Sequence, residues 1–356
     1  MRIAYMLTSL GIGGAEKQAI QIAERMAIRG HEVAFIVLRS PQEKEWPARL
    51  PVISLNIGMS YSGAPRGLLQ ATRHLRALQP DLLHSHTFPA NMMARTLRAI
   101  GTAPPVITTI HNIYEGGAHR DLAYRLTDRL SSHTTTVSRA IADRCIQIKA
   151  VPQNRCSVIT NGIDTEEFSP SARSIESKKI RPEAEKFVWL AAGRDVPAKD
   201  FNNLLAAFQV VRREMPNAEL WIAGQPSNHR QNTNDVRWLG VSTDMKAIFA
   251  ACDGFVLSSA WEGMPLVIGE AMSMERPVVA TDVGGVHGLL GDTGLLVHSK
   301  NPQSLAGAML RITRMSEADR HMMGTAARAR IVQHFDMNDK ADEWEIFYTR
   351  ILRERQ

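Results

Sequence analysis

Short apolar runs alternate with helix-like segments along the whole chain of 356 residues. Residues 3–7 read as a strand, residues 15–29 show the apolar period of an amphipathic helix, and residues 32–38 read as the next strand. A glycine-rich turn, residues 11–14, joins the first strand to the helix. Because parallel strands need a crossover of helix length, this order predicts an α/β protein with parallel sheets.

The alternation occurs in two series, which fits two domains at this chain length. We predict a first domain at residues 1–168, completed by residues 336–356, and a second at residues 187–335. The polar stretch between them, residues 169–186, lacks periodicity and is the predicted linker. Helices of the first series are expected to begin near Pro65, Pro89 and Ser138.

The formal net charge of +6 comes from the first part of the chain. Residues 1–170 hold 19 Lys and Arg against 13 Asp and Glu, and the remaining residues balance. Such a domain can bind an anionic membrane surface or an acidic acceptor. Alternatively, its basic side chains are ordinary solvent-exposed surface residues. Nucleic acid is not an expected partner, because no basic run is interleaved with aromatic residues.

The cysteines favour a cytoplasmic location. Cys145, Cys156 and Cys252 are scattered and form no C-x-x-C motif, so they read as reduced core thiols. No apolar run reaches the roughly 18 residues of a membrane-spanning helix, and the opening run reads as a buried strand rather than a signal peptide. The basic first domain extends this prediction to a peripheral position on the inner membrane face.

Two glutamates, Glu262 and Glu270, are separated by seven residues at a predicted strand-to-helix junction. A strand pattern at residues 254–259 precedes them, and a helix pattern covers residues 264–274. Pro265 near the first helical position supports that boundary. Glu262 should therefore lie on the loop and Glu270 about a turn and a half inside the helix, whose N-terminus would favour a bound phosphate.

A second loop carries two cations after a predicted strand. Arg194 and Lys199 follow Gly193 and precede a helix that begins near Asp200. Arg can contact two phosphate oxygens at once, Lys supplies a mobile point charge, and Gly193 lets the backbone approach a ligand closely. The loop therefore predicts a diphosphate grip, with an ordinary exposed loop as the alternative.

The turn after the first strand contains Gly11, Gly13 and Gly14. A dinucleotide-binding fingerprint requires a further glycine at position 16, and Glu16 stands there. An NAD-binding first domain is therefore not expected.

Together these motifs resemble the family 4 retaining glycosyltransferases. The resemblance rests on the E-x7-E segment, on Gly193-Arg194 with Lys199, and on the Gly13-Gly14-x-Glu16 turn, and it spans nearly the whole chain. It implies the GT-B architecture, with two Rossmann-like parallel-sheet domains facing across a cleft. In that architecture the last helix crosses back to the first domain.

The resemblance also implies roles for individual residues. Four would be catalytic: Glu262, Lys199, Arg194 and His111. The acceptor side would include Glu16 and His86. The donor would be bound by Gly13, Gly14, Gly193, Arg194, Lys199, Leu239, Glu262, Gly263, Met264, Pro265, Leu266 and Glu270.

His111 ends a predicted strand and, by the resemblance, touches the donor sugar or the leaving phosphate. Relatives often carry Asp after this His, whereas Asn112 stands here, so the group that sets the ring's tautomer is not evident. His84 and His86 share one strand face, but no carboxylate cluster near them completes a zinc site. No D-x-D motif occurs, so neither a metal nor another cofactor is expected.

Two further turns match the family, and one loop departs from it. Residues 161–164, Asn-Gly-Ile-Asp, would fix the interdomain hinge, and residues 281–285 resemble the glycine loop after the E-x7-E helix. The polar loop at residues 225–235 replaces a glycine-rich turn and helix of many relatives, and the adjacent residues 237–240 would lie near the nucleotide base.

The implied reaction moves a hexose or N-acetylhexosamine from a nucleotide sugar, expected to be a UDP-sugar. The acceptor would be lipid-linked or an oligosaccharide, in bacterial surface polysaccharide synthesis such as that of O-antigen or capsule. Two alternatives remain open. One is a nucleotide-sugar-binding subunit without activity, and the other is a GT-B sugar-nucleotide epimerase that uses no acceptor.

Overall fold

The computed structural model describes residues 1–39, 49–57, 63–170, 181, 186–227, 230–242 and 244–354. The chain forms two compact units, one of Met1–Gly162 with Met337–Gln356 and one of Ile163–Asp336. Most of the predicted linker, residues 169–186, lies outside the described residues, as do two residues of the polar loop at 225–235.

The first unit contains a parallel sheet whose described strands follow the order β3-β2-β1-β4-β5-β6-β7. The order reverses between β1 and β4, which is where open α/β sheets bind ligands, outside the carboxyl ends of the strands. The strands are β1 (Arg2–Leu7), β2 (Glu32–Val37), β3 (Val52–Ser54), β4 (Leu82–His86), β5 (Val106–Ile110), β6 (His133–Thr136) and β7 (Cys156–Val158).

Helices connect these parallel strands, as the crossover rule requires. They are α1 (Gly14–Ile28), α2 (Ala64–Leu78), α3 (Phe88–Ala99), α4 (Ala118–Thr127) and α5 (Arg139–Gln147). The sequence patterns predicted α1, α2, α3 and α5, but α4 was missed. Only Tyr124 is buried in α4, so the helix has no apolar stripe to reveal it.

The C-terminal helix, Met337–Arg353, completes the first unit. Its buried side chains recur at helical spacing, and among them Trp344 and Tyr348 join the same hydrophobic cluster as Ile3 and Tyr5 of β1. The prediction that the last helix crosses back to the first domain is therefore confirmed.

The second unit contains a second parallel sheet, whose described strands follow the order β10-β9-β8-β11-β12-β13. The order reverses between β8 and β11, which repeats the arrangement of the first unit. The strands are β8 (Phe187–Ala192), β9 (Ala218–Ala223), β10 (Val236–Gly240), β11 (Gly254–Leu257), β12 (Val278–Thr281) and β13 (Leu295–Val297).

The helices of the second unit cover this sheet, and the core lies between them. Trp189 of β8, Leu220 of β9 and Phe208 of the first helix are each at most 1% exposed in one cluster. The helices are α6 (Phe201–Glu214), α7 (Met245–Ala251), α8 (Leu266–Ser273), α9 (Val286–Leu290), α10 (Pro302–Thr313) and α11 (Glu317–His334), so the C-terminal helix is α12.

Two sequence predictions for the second unit need adjustment. The helix predicted at residues 264–274 is shorter, because Pro265 has an extended backbone and is the residue before the first helical one. The glycine loop at residues 281–285 runs directly into α9, which the sequence patterns had not shown. Among the described residues, no helix is long and apolar enough to cross a membrane.

Candidate active site

The switch point of the second sheet brings two predicted site loops together. Gly193 to Lys199 follow β8, and Glu262 follows β11, the strand beside β8. Lys199 Nζ lies 2.6 Å from Glu262 Oε1, and both side chains are largely buried, with 18% and 11% of their surface exposed. Because β8 and β11 are adjacent in the sheet, residues from two motifs far apart in the sequence form one ion pair.

Short hydrogen bonds fix the position of this pair. Ser259 Oγ donates to the same Glu262 oxygen at 2.6 Å, and Ser258 Oγ donates to the Lys199 carbonyl at 2.8 Å. Both contacts to Glu262 are on Oε1, and no described residue donates to its Oε2. One carboxylate oxygen is therefore available for a ligand hydroxyl.

Glycine is required at two positions around the pair, at Gly284 by a close backbone approach and at Gly193 by a positive φ. An added Cβ at Gly284, whose φ is +58°, would lie 2.0 Å from the Glu262 carbonyl oxygen. The neighbouring Gly285 N–H donates to the Gly263 carbonyl at 2.7 Å. Gly193 has φ +147°, and an added Cβ there would lie 2.8 Å from Lys199 Cε. The glycine loop after β12 thus packs against the loop that carries Glu262.

The remaining predicted donor residues lie around this pair in different environments. Glu270 is 4% exposed and is the fifth residue of α8, just over one turn inside the helix and close to the expected position. Gly263, Met264, Pro265 and Leu266 are buried in the loop and at the helix start. Arg194 is exposed, and no described residue pairs with its guanidinium. Leu239 is half-buried near the carboxyl end of β10.

The polar loop after β9 is anchored to the loop that carries Arg194. Asp195 accepts hydrogen bonds from Ser227 N and Oγ at 3.1 and 2.6 Å and from Arg230 Nε at 2.7 Å. Partial burial opposes ionisation, but the bonds from Ser227 and Arg230 outweigh it and lower the pKa of Asp195. This anchor could not be predicted from the sequence, since the three residues share no motif.

In the first unit, Gly13 precedes α1 in an extended conformation and Glu16 lies in its first turn. The Glu16 carboxylate folds back over the turn, since an added Cβ at Gly13 would lie 2.4 Å from its Oε2. This is the position from which a glutamate caps a helix start. Gly14 begins the helix, and the acceptor role given to Glu16 stays a prediction.

His111 follows β5 and pairs with His86, which ends β4. His86 Nδ1 lies 2.8 Å from His111 Nε2, so one of the two nitrogens donates to the other. Within the described residues, His86 Nε2 and His111 Nδ1 are buried and have no hydrogen-bond partner. The side chain that positions the His111 ring is therefore His86, at the end of the neighbouring strand, rather than Asn112.

Burial keeps these histidines neutral. It lowers the pKa of His111 to about 4. Burial, and secondarily the neighbouring His84 and His111, lowers the pKa of His86 well below its ordinary value. A neutral imidazole has one donor and one acceptor nitrogen, so if His111 Nε2 donates to His86 then His111 Nδ1 is an acceptor, and if Nε2 accepts then Nδ1 is a donor.

A buried polar chain beside the pair was missed by sequence reasoning. His84 bonds through Nδ1 to the Tyr348 hydroxyl and through Nε2 to Thr109 Oγ1, both at 2.7 Å. The Tyr348 hydroxyl also lies 3.0 Å from the Tyr5 hydroxyl. Both His84 nitrogens are thus satisfied, and among the described residues no group of three or more His, Cys, Asp or Glu could hold a metal ion.

Comparison with protein families gives two matches that together span most of the chain. The model described as Glycosyltransferase Family 4 matches residues 12–167, and the model described as Glycosyl transferases group 1 matches residues 186–315. The first match covers the unit with the histidine pair, and the second covers the region with the Lys199–Glu262 pair.

Known proteins agree with these matches. The UDP-Gal:alpha-D-GlcNAc-diphosphoundecaprenol alpha-1,3-galactosyltransferase of Escherichia coli is 25% identical over 84% of this chain and 82% of its own. The N-acetyl-alpha-D-glucosaminyl L-malate synthase of Bacillus anthracis is 24% identical over 96% and 95%. The structure of Anabaena HepE in complex with UDP and glucose superposes with a TM-score of 0.83 at 22% identity, covering 98% and 99%.

The two parallel sheets, together with the proteins similar to this chain, define a glycosyltransferase of the GT-B fold, as the sequence predicted. More particularly, the chain belongs to the family 4 glycosyltransferases.

Proposed function

We propose that the chain transfers a hexosyl or N-acetylhexosaminyl group from a UDP-sugar to a lipid-linked or oligosaccharide acceptor in surface polysaccharide synthesis. The observation that carries the proposal is the Lys199–Glu262 pair at the switch point of the second sheet. The Escherichia coli relative supports both substrates, since its name gives a UDP-sugar donor and a diphospholipid acceptor. HepE supports the nucleotide, since its structure contains UDP.

Transfer requires the bond between C1 and the diphosphate oxygen to break. Negative charge then develops on the leaving diphosphate, and cations fixed beforehand stabilise it. Lys199 is held in place by Glu262, and Arg194 is exposed without a described ion-pair partner. The start of α8 adds N–H groups that no described side chain caps. These groups supply the charge that a metal would otherwise provide, so we propose that no metal is needed.

Glu262 serves the sugar better than the phosphate. A carboxylate would repel the diphosphate, whereas its Oε2, which has no donor among described residues, can accept from a sugar hydroxyl. Glu270, buried in α8, is proposed to contact the ribose hydroxyls. We further propose retention of configuration: the acceptor oxygen bonds to C1 from the face that the diphosphate leaves, and its proton passes to the departing phosphate oxygen.

The test uses labelled UDP-galactose, UDP-glucose, UDP-N-acetylglucosamine and GDP-mannose with a short-chain lipid-diphosphate sugar. Transferred label with release of UDP is the expected result, and NMR of the product should show the donor's anomeric configuration. Turnover should persist in EDTA. An isomerised donor without acceptor would instead support the epimerase. Donor binding without any turnover would support the non-catalytic subunit.

A further inference from the structure

One face of α4 exposes apolar and basic side chains side by side. Leu122 and Leu126 are 53% and 74% exposed. Arg125 and Arg129 are also exposed, and spacings of three, four and seven residues place all four on one side of α4 and its short 3-10 extension. Tyr124 points the other way and is buried. The exposed leucines and arginines together give this surface the amphipathic character of helices that lie on a membrane.

A cavity of about 270 Å³ opens beside this face. Its lining includes Arg125, Arg129 and Lys149, and the buried Val151 and Ala150 form part of its floor. It lies where α4 and α5 end, at the amino-terminal side of β6 and β7. The candidate site residue His111 follows β5 and lies at the carboxyl side of the same sheet.

The positive charge of this region is not neutralised locally. The two acidic residues of α4 and its extension already have partners, because Asp121 accepts two hydrogen bonds from Arg144 and Asp128 pairs with Arg155. Among the described residues, none pairs with Arg125, Arg129 or Lys149. Among the described residues that line the cavity there are thus three cations and one carboxylate, and that carboxylate, Asp128, is already paired.

We propose that this region, the α4 surface of Leu122, Arg125, Leu126, Arg129 and Lys149, docks on an anionic lipid bilayer. The leucines would enter the outer acyl layer while the cations beside the cavity contact phosphate headgroups. A free phosphate would leave both leucines in water. A stable protein partner requires roughly 800 Å² per side, far more than two leucines and one small cavity offer. Docking on the bilayer requires no catalytic step.

Vesicle co-sedimentation of the full chain tests the proposal. Phosphatidylcholine vesicles rich in phosphatidylglycerol should bind the protein at low salt, and vesicles of phosphatidylcholine alone should bind it weakly. The double variant Arg125→Gln/Arg129→Gln should bind about 30-fold more weakly, from about fivefold per cation at the surface. Leu122→Ser/Leu126→Ser should lose about tenfold, and this loss should persist in high salt.

Matched controls separate the α4 surface from general charge and hydrophobicity. Arg73→Gln/Arg76→Gln removes two exposed arginines from α2, and Leu69→Ser/Ile346→Ser removes two exposed aliphatic side chains from other helices of the same unit. Both should change binding less than threefold. Equal losses in controls and test variants would overturn the proposal, as would phosphate binding without vesicle binding. Because vesicle binding is read without turnover, failure here is distinct from failure of the proposed reaction.

Discussion

The two sheets share a strand order but carry opposite chemistry at their switch points. In the second unit, Lys199 and Glu262 form a charged pair 2.6 Å apart. In the first, His86 and His111 form an uncharged pair 2.8 Å apart, with the pKa of each lowered by burial. One fold can thus carry a charged pair in one unit and an uncharged pair in the other, because the side chains after each strand decide the chemistry.

The charged pair gives the largest expected effect. Lys199→Met and Glu262→Gln should each lower kcat/KM about a thousandfold, since each removes a group fixed in place where charge develops. Initial rates with the UDP-sugar and the lipid acceptor measure this loss. Lys186→Met is the matched control, because it breaks another Lys–Glu pair of the same unit, at 3.6 Å from Glu219. Near-normal rates for Lys199→Met would show that the charged pair of the second unit is not needed for turnover.

The neutral pair should matter next. His111→Gln is expected to lower kcat about a hundredfold. His86→Phe should lower kcat about tenfold with KM unchanged if His86, which is fully buried, orients the His111 ring instead of contacting the acceptor as the resemblance implied. In His86→Gln, a side-chain amide that restores the hydrogen bond should recover part of that loss. A purely structural role for His86 would instead lower the thermal stability of both variants and change KM and kcat together.

The histidines should also make the first unit sensitive to acid. The pKa of His111 is lowered to about 4, so below the ordinary value of about 6.5 the unfolded chain takes up a proton that the folded unit refuses. The stabilisation is therefore fully present above pH 6.5 and is lost as the pH falls toward 4. For each such histidine the free energy of unfolding falls by about 1.4 kcal/mol per pH unit, which is tenfold in the unfolding equilibrium.

Hydrogen exchange of β4 and β5 between pH 6.5 and 4.5 would measure how the free energy of unfolding depends on pH. His111→Gln should reduce this slope by the contribution of one proton, about 1.4 kcal/mol per pH unit. The second unit is the internal control, because its described histidines are exposed. An equal slope in both units would contradict the role given to the buried histidines.

The smallest expected effect concerns the anchored loop of the second unit. Asp195→Asn should raise KM for the nucleotide sugar about threefold with kcat unchanged, because the bonds to Ser227 and Arg230 lose their ionised acceptor. Asp235→Asn is the control, since Asp235 likewise accepts from an arginine, Arg212, and from Thr233. A matching rise in KM in the control would show that the anchor has no special part in donor binding.

Much of this arrangement followed from local sequence patterns. The strands predicted at residues 3–7 and 32–38 match β1 (Arg2–Leu7) and β2 (Glu32–Val37) to within one residue, because buried parallel strands read as continuous apolar or β-prone runs between turns. The Gly193 loop and the E-x7-E segment were recognisable because glycine and helix-start preferences are local. By contrast, α4 exposes its leucines, so its pattern lacked the apolar stripe on which prediction depends.

The contacts between loops could not be read in the same way. Lys199 and Glu262 are 63 residues apart, and only the adjacency of β8 and β11 brings them together. Likewise, the pairing of β4 with β5 aligns His86 with Thr109 and places His111 just beyond. Such pairs depend on strand order and register, which no single segment of the sequence encodes.

The position of α12 has a consequence for how the chain matures during synthesis. Trp344 and Tyr348 belong to the core that surrounds Tyr5, although more than three hundred residues separate them in translation order. The first unit therefore emerges from the ribosome with an unfilled groove, while the second unit already has its whole core sequence. Nascent chains arrested before Met337 should expose that groove to chaperones, and protease resistance of the first unit should arise only as the final helix leaves the exit tunnel.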